Sequence, residues 1–135
     1  MDINNLTESE RLLFSRAVMQ LLADWEVTTV DQKVLLDLPK ETRTRTLQRY
    51  RNDTPLPNTP NVMERVEHLL SIGDALLTTY PHNARMSTQW LNTPHRRFQN
   101  RAPLQVMIEG GKEGIVDVRA HLDCAYAWSL TEPNQ

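Results

Sequence analysis

The sequence predicts an all-α protein, with an N-terminal helix-turn-helix bundle and a C-terminal helical domain. Three observations lead there. Apolar residues recur at spacings of three and four along every long segment, no alternating strand pattern runs past four residues, and proline, glycine and capping motifs cut the chain into helix-sized pieces. With 135 residues and 39% apolar content, there is material for one domain or for two small ones sharing a core.

Thr7-Glu8-Ser9-Glu10 is a capping box, in which hydroxyl and carboxylate each satisfy an otherwise unpaired N–H. A first helix follows to about Trp25, with Phe14, Val18, Leu21, Leu22 and Trp25 inward and Arg11, Arg16 and Asp24 in solvent. Thr29-Val30-Asp31-Gln32 reads as a second box, with Val30, Val34 and Leu35 as its apolar stripe. Leu38-Pro39 stops that helix near Asp37, because proline disfavours α conformation in the residue before it. A third helix covers residues 40–51. The second and third helices, joined by a short turn, have the outline of a helix-turn-helix.

The formal charge of −2 gives no global attraction to nucleic acid, so any such role rests on a local patch. Lys40, Arg43, Arg45, Arg49 and Arg51 provide one, opposed only by Glu41. If Leu47 and Tyr50 point inward, a turn of about 100° per residue sends Glu41, Thr42, Arg45, Gln48 and Arg49 outward and leaves Arg43 on the inner side. Arginine pairs with guanine and glutamine with adenine through two hydrogen bonds, so Arg45, Gln48 and Arg49 are the candidates for base contacts. Lys40 and Arg51, at the helix ends, suit phosphates. An ordinary solvated face is the competing reading of the same residues.

Residues 52–60 carry three prolines and are the linker-like stretch of the chain. A boundary is placed there, giving domains 1–58 and 59–135. Thr59-Pro60 caps a long fourth helix whose apolar face runs through Val62, Val66, Leu69, Leu70, Gly73, Leu76, Leu77 and Tyr80, broad enough for a second copy of the chain to share. Pro81-His82-Asn83 ends it, and a short helix spans residues 84–91. Pro103 opens a two-turn helix that Gly110 or Gly111 closes. A final helix, residues 112–128, follows on the stripe Ile115, Val118, Leu122 and Tyr126.

Enzymatic chemistry finds no convergent set of groups. His68, His82, His95 and His121 include no pair at metal-ligand spacing on one helix, and His121 with Cys124 makes at most half a site, so neither metal nor cofactor is expected. Glu109-Gly110-Gly111-Lys112-Glu113-Gly114 lacks the spacing and the preceding strand of a phosphate loop. The lone Cys124 excludes an internal disulfide and reads as buried rather than reactive. No apolar run approaches the roughly 20 residues that cross a bilayer, and the first residues lack signal-peptide character, so a cytoplasmic protein is expected. Trp25 and Trp90 fall within apolar periods and read as core. Trp128, before a polar tail, reads equally as a binding anchor. Arg96, Arg97 and Arg101 surround Phe98 outside any helical stripe, either as interface residues or as solubilising ones.

The stretch Trp90-Leu91, Pro94, Phe98, Arg101, Pro103-Leu104, Gly110, Gly114, Val118 and Leu122 resembles, in order and spacing, the toxin-binding domain of the Xre/MbcA/ParS-like antitoxin family. Asn100 departs from it, standing where the family usually has glycine; asparagine is the next most tolerant residue at positive φ. The resemblance implies an antitoxin of a type II toxin–antitoxin system, not an enzyme, that neutralises a RES-domain, NAD-degrading toxin from the neighbouring gene by covering its active site. It also implies repression of its own promoter, for which a two-fold operator would call for a homodimer, and the candidate DNA contacts are Lys40, Thr42, Arg43, Arg45, Gln48 and Arg49. The toxin-binding surface is expected at Arg96, Arg97, Arg101, Glu109, Gly110, Gly111, Lys112 and Trp128. A free-standing helix-turn-helix regulator with a C-terminal dimerisation module, and a pure inhibitor whose helix-turn-helix does not contact DNA, are the alternatives.

Overall fold

The computed structural model describes residues 5–131, with side chains described through residue 124. Among these residues the fold is all-helical: α1 Glu8–Asp24, α2 Thr29–Leu36, α3 Thr44–Asn52, α4 Pro60–Thr79, α5 Ala84–Leu91, a 3-10 turn Arg96–Phe98, and α6 Pro103–Thr131. The chain forms two compact units, residues 1–70 and 71–135, that divide within α4. No helix among the described residues is long and apolar enough to cross a membrane.

In the first unit, α1 begins where its capping box sets it. The Glu10 N–H donates to the Thr7 hydroxyl and the Thr7 N–H to the Glu10 carboxylate, each at 3.1 Å. Val18, Met19 and Leu22 are buried on its inner face, and α1 packs against α3. Trp25 caps the helix and is buried, as the apolar period requires. Arg11, expected in solvent, is half-buried, because its guanidinium donates to the Leu56 carbonyl at 2.9 Å.

The same contact corrects the reading of residues 52–60 as a linker. Leu56 is fully buried, its N–H donates to the Ser15 hydroxyl at 2.7 Å, and that hydroxyl donates in turn to the Arg11 carbonyl at 2.8 Å. The prolines therefore stiffen a strap fastened to α1 rather than a free tether. Ser15→Ala leaves the buried Leu56 N–H unpaired and is expected to cost about 1–3 kcal/mol, read as a lower urea midpoint at unchanged slope.

The cap of α2 is Thr28 rather than Thr29; its hydroxyl accepts from the Asp31 N–H at 3.2 Å. The buried stripe is accordingly Gln32, Leu35 and Leu36, while Val30 and Val34 are exposed. Gln32 is admitted to the core because its amide donates to the Val27 carbonyl at 3.0 Å, a pairing that sequence periodicity does not reveal. The helix ends where Leu38-Pro39 requires, with Asp37 in left-handed conformation at its C-cap.

Residues 40–43, expected inside the third helix, precede it. Thr42 N–H donates to the Pro39 carbonyl at 3.0 Å, and Lys33 Nζ donates to the Lys40 and Thr42 carbonyls at 2.9 and 3.2 Å. These bonds hold the backbone out of helix, and Arg43 becomes the N-cap of α3. The connection between α2 and α3 is therefore longer than the short turn expected.

Thr59 and Pro60 start α4 as the sequence implies, the Thr59 hydroxyl accepting from the Val62 N–H at 3.3 Å. Val62, Met63, Val66 and Leu69 are buried, and Arg65 beside them donates to the Val34 and Leu35 carbonyls, both at 3.3 Å. Leu77, expected on the apolar face, is exposed.

Candidate functional site

The first unit presents its basic residues on and just before α3. Leu47 is buried and Tyr50 half-buried, so Arg45, Gln48 and Arg49 point to solvent, as helical angles require. Lys40 and Arg43 are exposed in the preceding segment and Thr42 is half-buried there; Arg43 has no need to snorkel, since it stands at the cap. Among the described residues, no acidic side chain lies within ion-pairing distance of Lys40, Arg43, Arg45 or Arg49. Arg51 differs, its guanidinium donating to the Gln20 side chain at 2.9 Å and tying α3 to α1.

In the second unit, residues 94–114 fold into a compact crossover between α5 and the break in α6. His95 and Arg101 form an isolated antiparallel bridge, the His95 N–H donating to the Arg101 carbonyl at 3.2 Å. The 3-10 turn Arg96–Phe98 lies between them, and Gln99 and Asn100 both take left-handed conformation, with φ of 57° and 61°. Asn100 thus supplies the positive φ for which glycine is the usual solution. Its N–H donates to the His95 carbonyl at 3.0 Å, closing the loop.

An aromatic cluster underlies this loop. Phe98 is buried, its ring 6.3 Å from Trp90, 6.5 Å from His95 and 5.2 Å from His121, each pair edge-to-face. The Trp90 and His95 rings lie 5.1 Å apart, and His95 Nε2 is 3.0 Å from the Trp90 carbonyl. Trp90 is half-buried, so it serves as one wall of this cluster rather than as deep core.

Arg96 and Arg97 are exposed on the 3-10 turn, and Arg97 Nη1 meets His121 Nε2. Burial lowers the His121 pKa below the usual 6.5, and the charges of Arg97 and His95 lower it further. Arg101 is spent locally. Its Nε donates to the Phe98 carbonyl at 3.4 Å, and its Nη1 pairs with Glu109 at 3.5 Å, linking loop to helix.

The helix from Pro103 is broken at Gly111, whose φ of 62° and ψ of −145° are not helical. Such a backbone is one that side chains rarely adopt, and it turns the short arm, residues 103–110, into the long arm, residues 112–131. Gly110 is exposed with open space around it, Lys112 is exposed, and Gly114 is packed against the Val106 backbone. Ile115, Val118 and Leu122 are buried, the stripe expected of the long arm. Cys124 is exposed rather than buried, one residue beyond the stripe's turn. Trp128 and Tyr126 lie outside the residues whose side chains are described.

Of the expected surface, the structure joins Arg101 to Glu109 and places Gly110, Gly111 and Lys112 at the break, with Arg96 and Arg97 on the loop. What sequence reasoning missed is His121. It was weighed as a metal ligand, whereas its position one helical turn after Val118 already put it at the edge of the packed stripe. Residues 75–125 match the family model of the antitoxin Xre/MbcA/ParS C-terminal toxin-binding domain. Comparison with curated proteins gives no match.

Proposed function

We infer, from the premise that residues 75–125 are an Xre/MbcA/ParS antitoxin toxin-binding domain, that this chain neutralises a RES-domain, NAD-degrading toxin encoded beside it. The chain is an antitoxin of that family and its partner is a toxin. In the finer reading, the crossover of residues 94–114 and the end of α6 cover the toxin's active-site cleft. The observation carrying this reading is the crossover itself, a segment whose loop residues Arg96, Arg97, Gln99 and Asn100 are exposed and which is fixed by a backbone bridge, an aromatic floor and the Arg101–Glu109 pair. A surface ordered before binding loses little conformational freedom on docking, which favours tight inhibition. The chain acts in the cytoplasm and performs no chemistry of its own.

The first unit is read as the operon's repressor. Arg45, Gln48 and Arg49 enter the major groove, and Lys40, Thr42 and Arg43 meet phosphates along its edge. Supporting this are the exposure of all but Thr42 and the lack of acidic partners among the described residues, which leaves their charge available for phosphate. A two-fold operator calls for two readers, so the chain acts as a homodimer. The decisive experiment co-expresses the full chain with the neighbouring gene product. Restored growth, NAD levels held at those of uninduced cells and co-elution on a sizing column are expected; equal growth arrest with and without the chain ends the reading.

A further inference from the structure

We infer that His121 is a positioning residue that holds Arg97 outward as a pre-formed cationic anchor for an acidic group on the toxin, so that the complex loosens in acid. This rests on the antitoxin reading above and deepens it.

The geometry carries the inference. Arg97 Nη1 donates to His121 Nε2, which accepts only when the imidazole is neutral with its proton on Nδ1. The imidazole is itself fixed, its ring packed at 65° against Phe98, 5.2 Å away. Phe98 in turn is buried beneath a loop closed by the His95–Arg101 bridge. Every link between Arg97 and the helix is therefore constrained.

The choice of a neutral acceptor matters chemically. Arg101 is paired with Glu109 at 3.5 Å, so a carboxylate already stands beside its charge. A guanidinium steadied by a neutral ring keeps its full positive charge and its remaining N–H donors for another molecule. Arg96, adjacent and exposed, has no acidic partner among the described residues and adds a second cation. Two neighbouring uncompensated arginines on a rigid turn fit a carboxylate-bearing patch, and arginine is common among residues that dominate binding energy.

Protonation of His121 removes the acceptor and sets a cation against Arg97. The charged groups facing His121 from the loop are Arg97 and His95, both opposing its protonation. On its own helix Asp117 stands one turn earlier, and Arg119 is paired with Asp123 at 3.6 Å. Because the folded pKa lies below the ordinary 6.5, the neutral form and its hold on Arg97 are fully present above 6.5. Both are lost as pH falls through the lowered value.

The test is binding of the full chain to the purified neighbouring gene product at about pH 8 and about pH 5, either side of the ordinary histidine range. Arg97→Ala is expected to weaken binding by about 30-fold at the higher pH, and Arg97→Glu by more. His121→Ala weakens it by about 10-fold with the circular dichroism of the chain unchanged. His121→Gln keeps an acceptor that does not titrate, so it binds like the natural chain at high pH and loses much of the weakening in acid. The inference is overturned if Arg97→Ala binds as tightly as the natural chain, or if His121→Gln weakens in acid to the same extent. Absence of binding by the unsubstituted chain overturns the antitoxin reading instead, and the inference with it.

Discussion

Replacing Arg45 and Arg49 together with alanine is expected to abolish binding to the chain's own promoter while leaving toxin neutralisation intact. Each arginine that pairs with a base through two hydrogen bonds contributes about 1–3 kcal/mol, so losing both weakens operator binding by about 30-fold or more. The salt dependence of what remains should also flatten, because fewer counterions are released. Both side chains are exposed and neither contributes to the core around Leu47, so folding is expected to be unaffected. Fluorescence anisotropy with labelled promoter DNA measures the first effect, and a melting curve checks the second. A double variant that binds the promoter normally would remove α3 from the role of recognition helix.

A comparably large effect, on stability, is expected at Gly114. A Cβ built there runs into the Val106 carbonyl oxygen and approaches the Met107 Cα at 3.4 Å, and backbone atoms cannot swing aside as a flexible side chain can. The long arm of α6 lies against the short arm at this point, which only a residue without a side chain permits. Gly114→Val should cost about 3 kcal/mol or more, lower the melting temperature by roughly 10 °C and cut toxin binding along with it. Gly110→Ala is the control, four residues earlier in the same glycine-rich turn. Open space surrounds that position, so alanine should be tolerated and stabilise the short arm by about 0.5–1 kcal/mol through helix propensity. Equal melting temperatures for the two variants would contradict the close packing of the arms.

The contrast between these glycines marks where sequence reading stops. Spacing alone identified the break near Gly110 and Gly111 and the stripe of Ile115, Val118 and Leu122, because turns and periodicity are local properties. It did not separate a glycine required by backbone contact from one in open space, since that depends on residues eight positions away across the break. The same limit explains α2. Thr28 and Thr29 are both chemically competent caps, and the buried stripe runs through Gln32, Leu35 and Leu36 while Val30 and Val34 are exposed. Gln32 is polar, so hydrophobic patterning votes against it, and only its bond to the Val27 carbonyl reverses the vote.

At the candidate sites, exposure was legible where helical angles applied, as for Arg45, Gln48 and Arg49, and failed where backbone bonds displaced the helix start, as for residues 40–43. Arg101 and Glu109 were both singled out from sequence, but their pairing needed the fold. His121 was considered from sequence only for metal spacing, and its partners, Phe98 and Arg97, lie more than twenty residues away.

The fastening of α4 to the first unit bears on how this chain is destroyed. A protease cutting among the prolines at residues 55–60 would strip Val62, Met63 and Val66 from the N-terminal core and take Arg65 away from the Val34 and Leu35 carbonyls. The C-terminal remnant would begin with a greasy, unprotected helical end, and the N-terminal one would be left with a gap in its interior. A single incision there therefore opens the core of the first unit to further degradation.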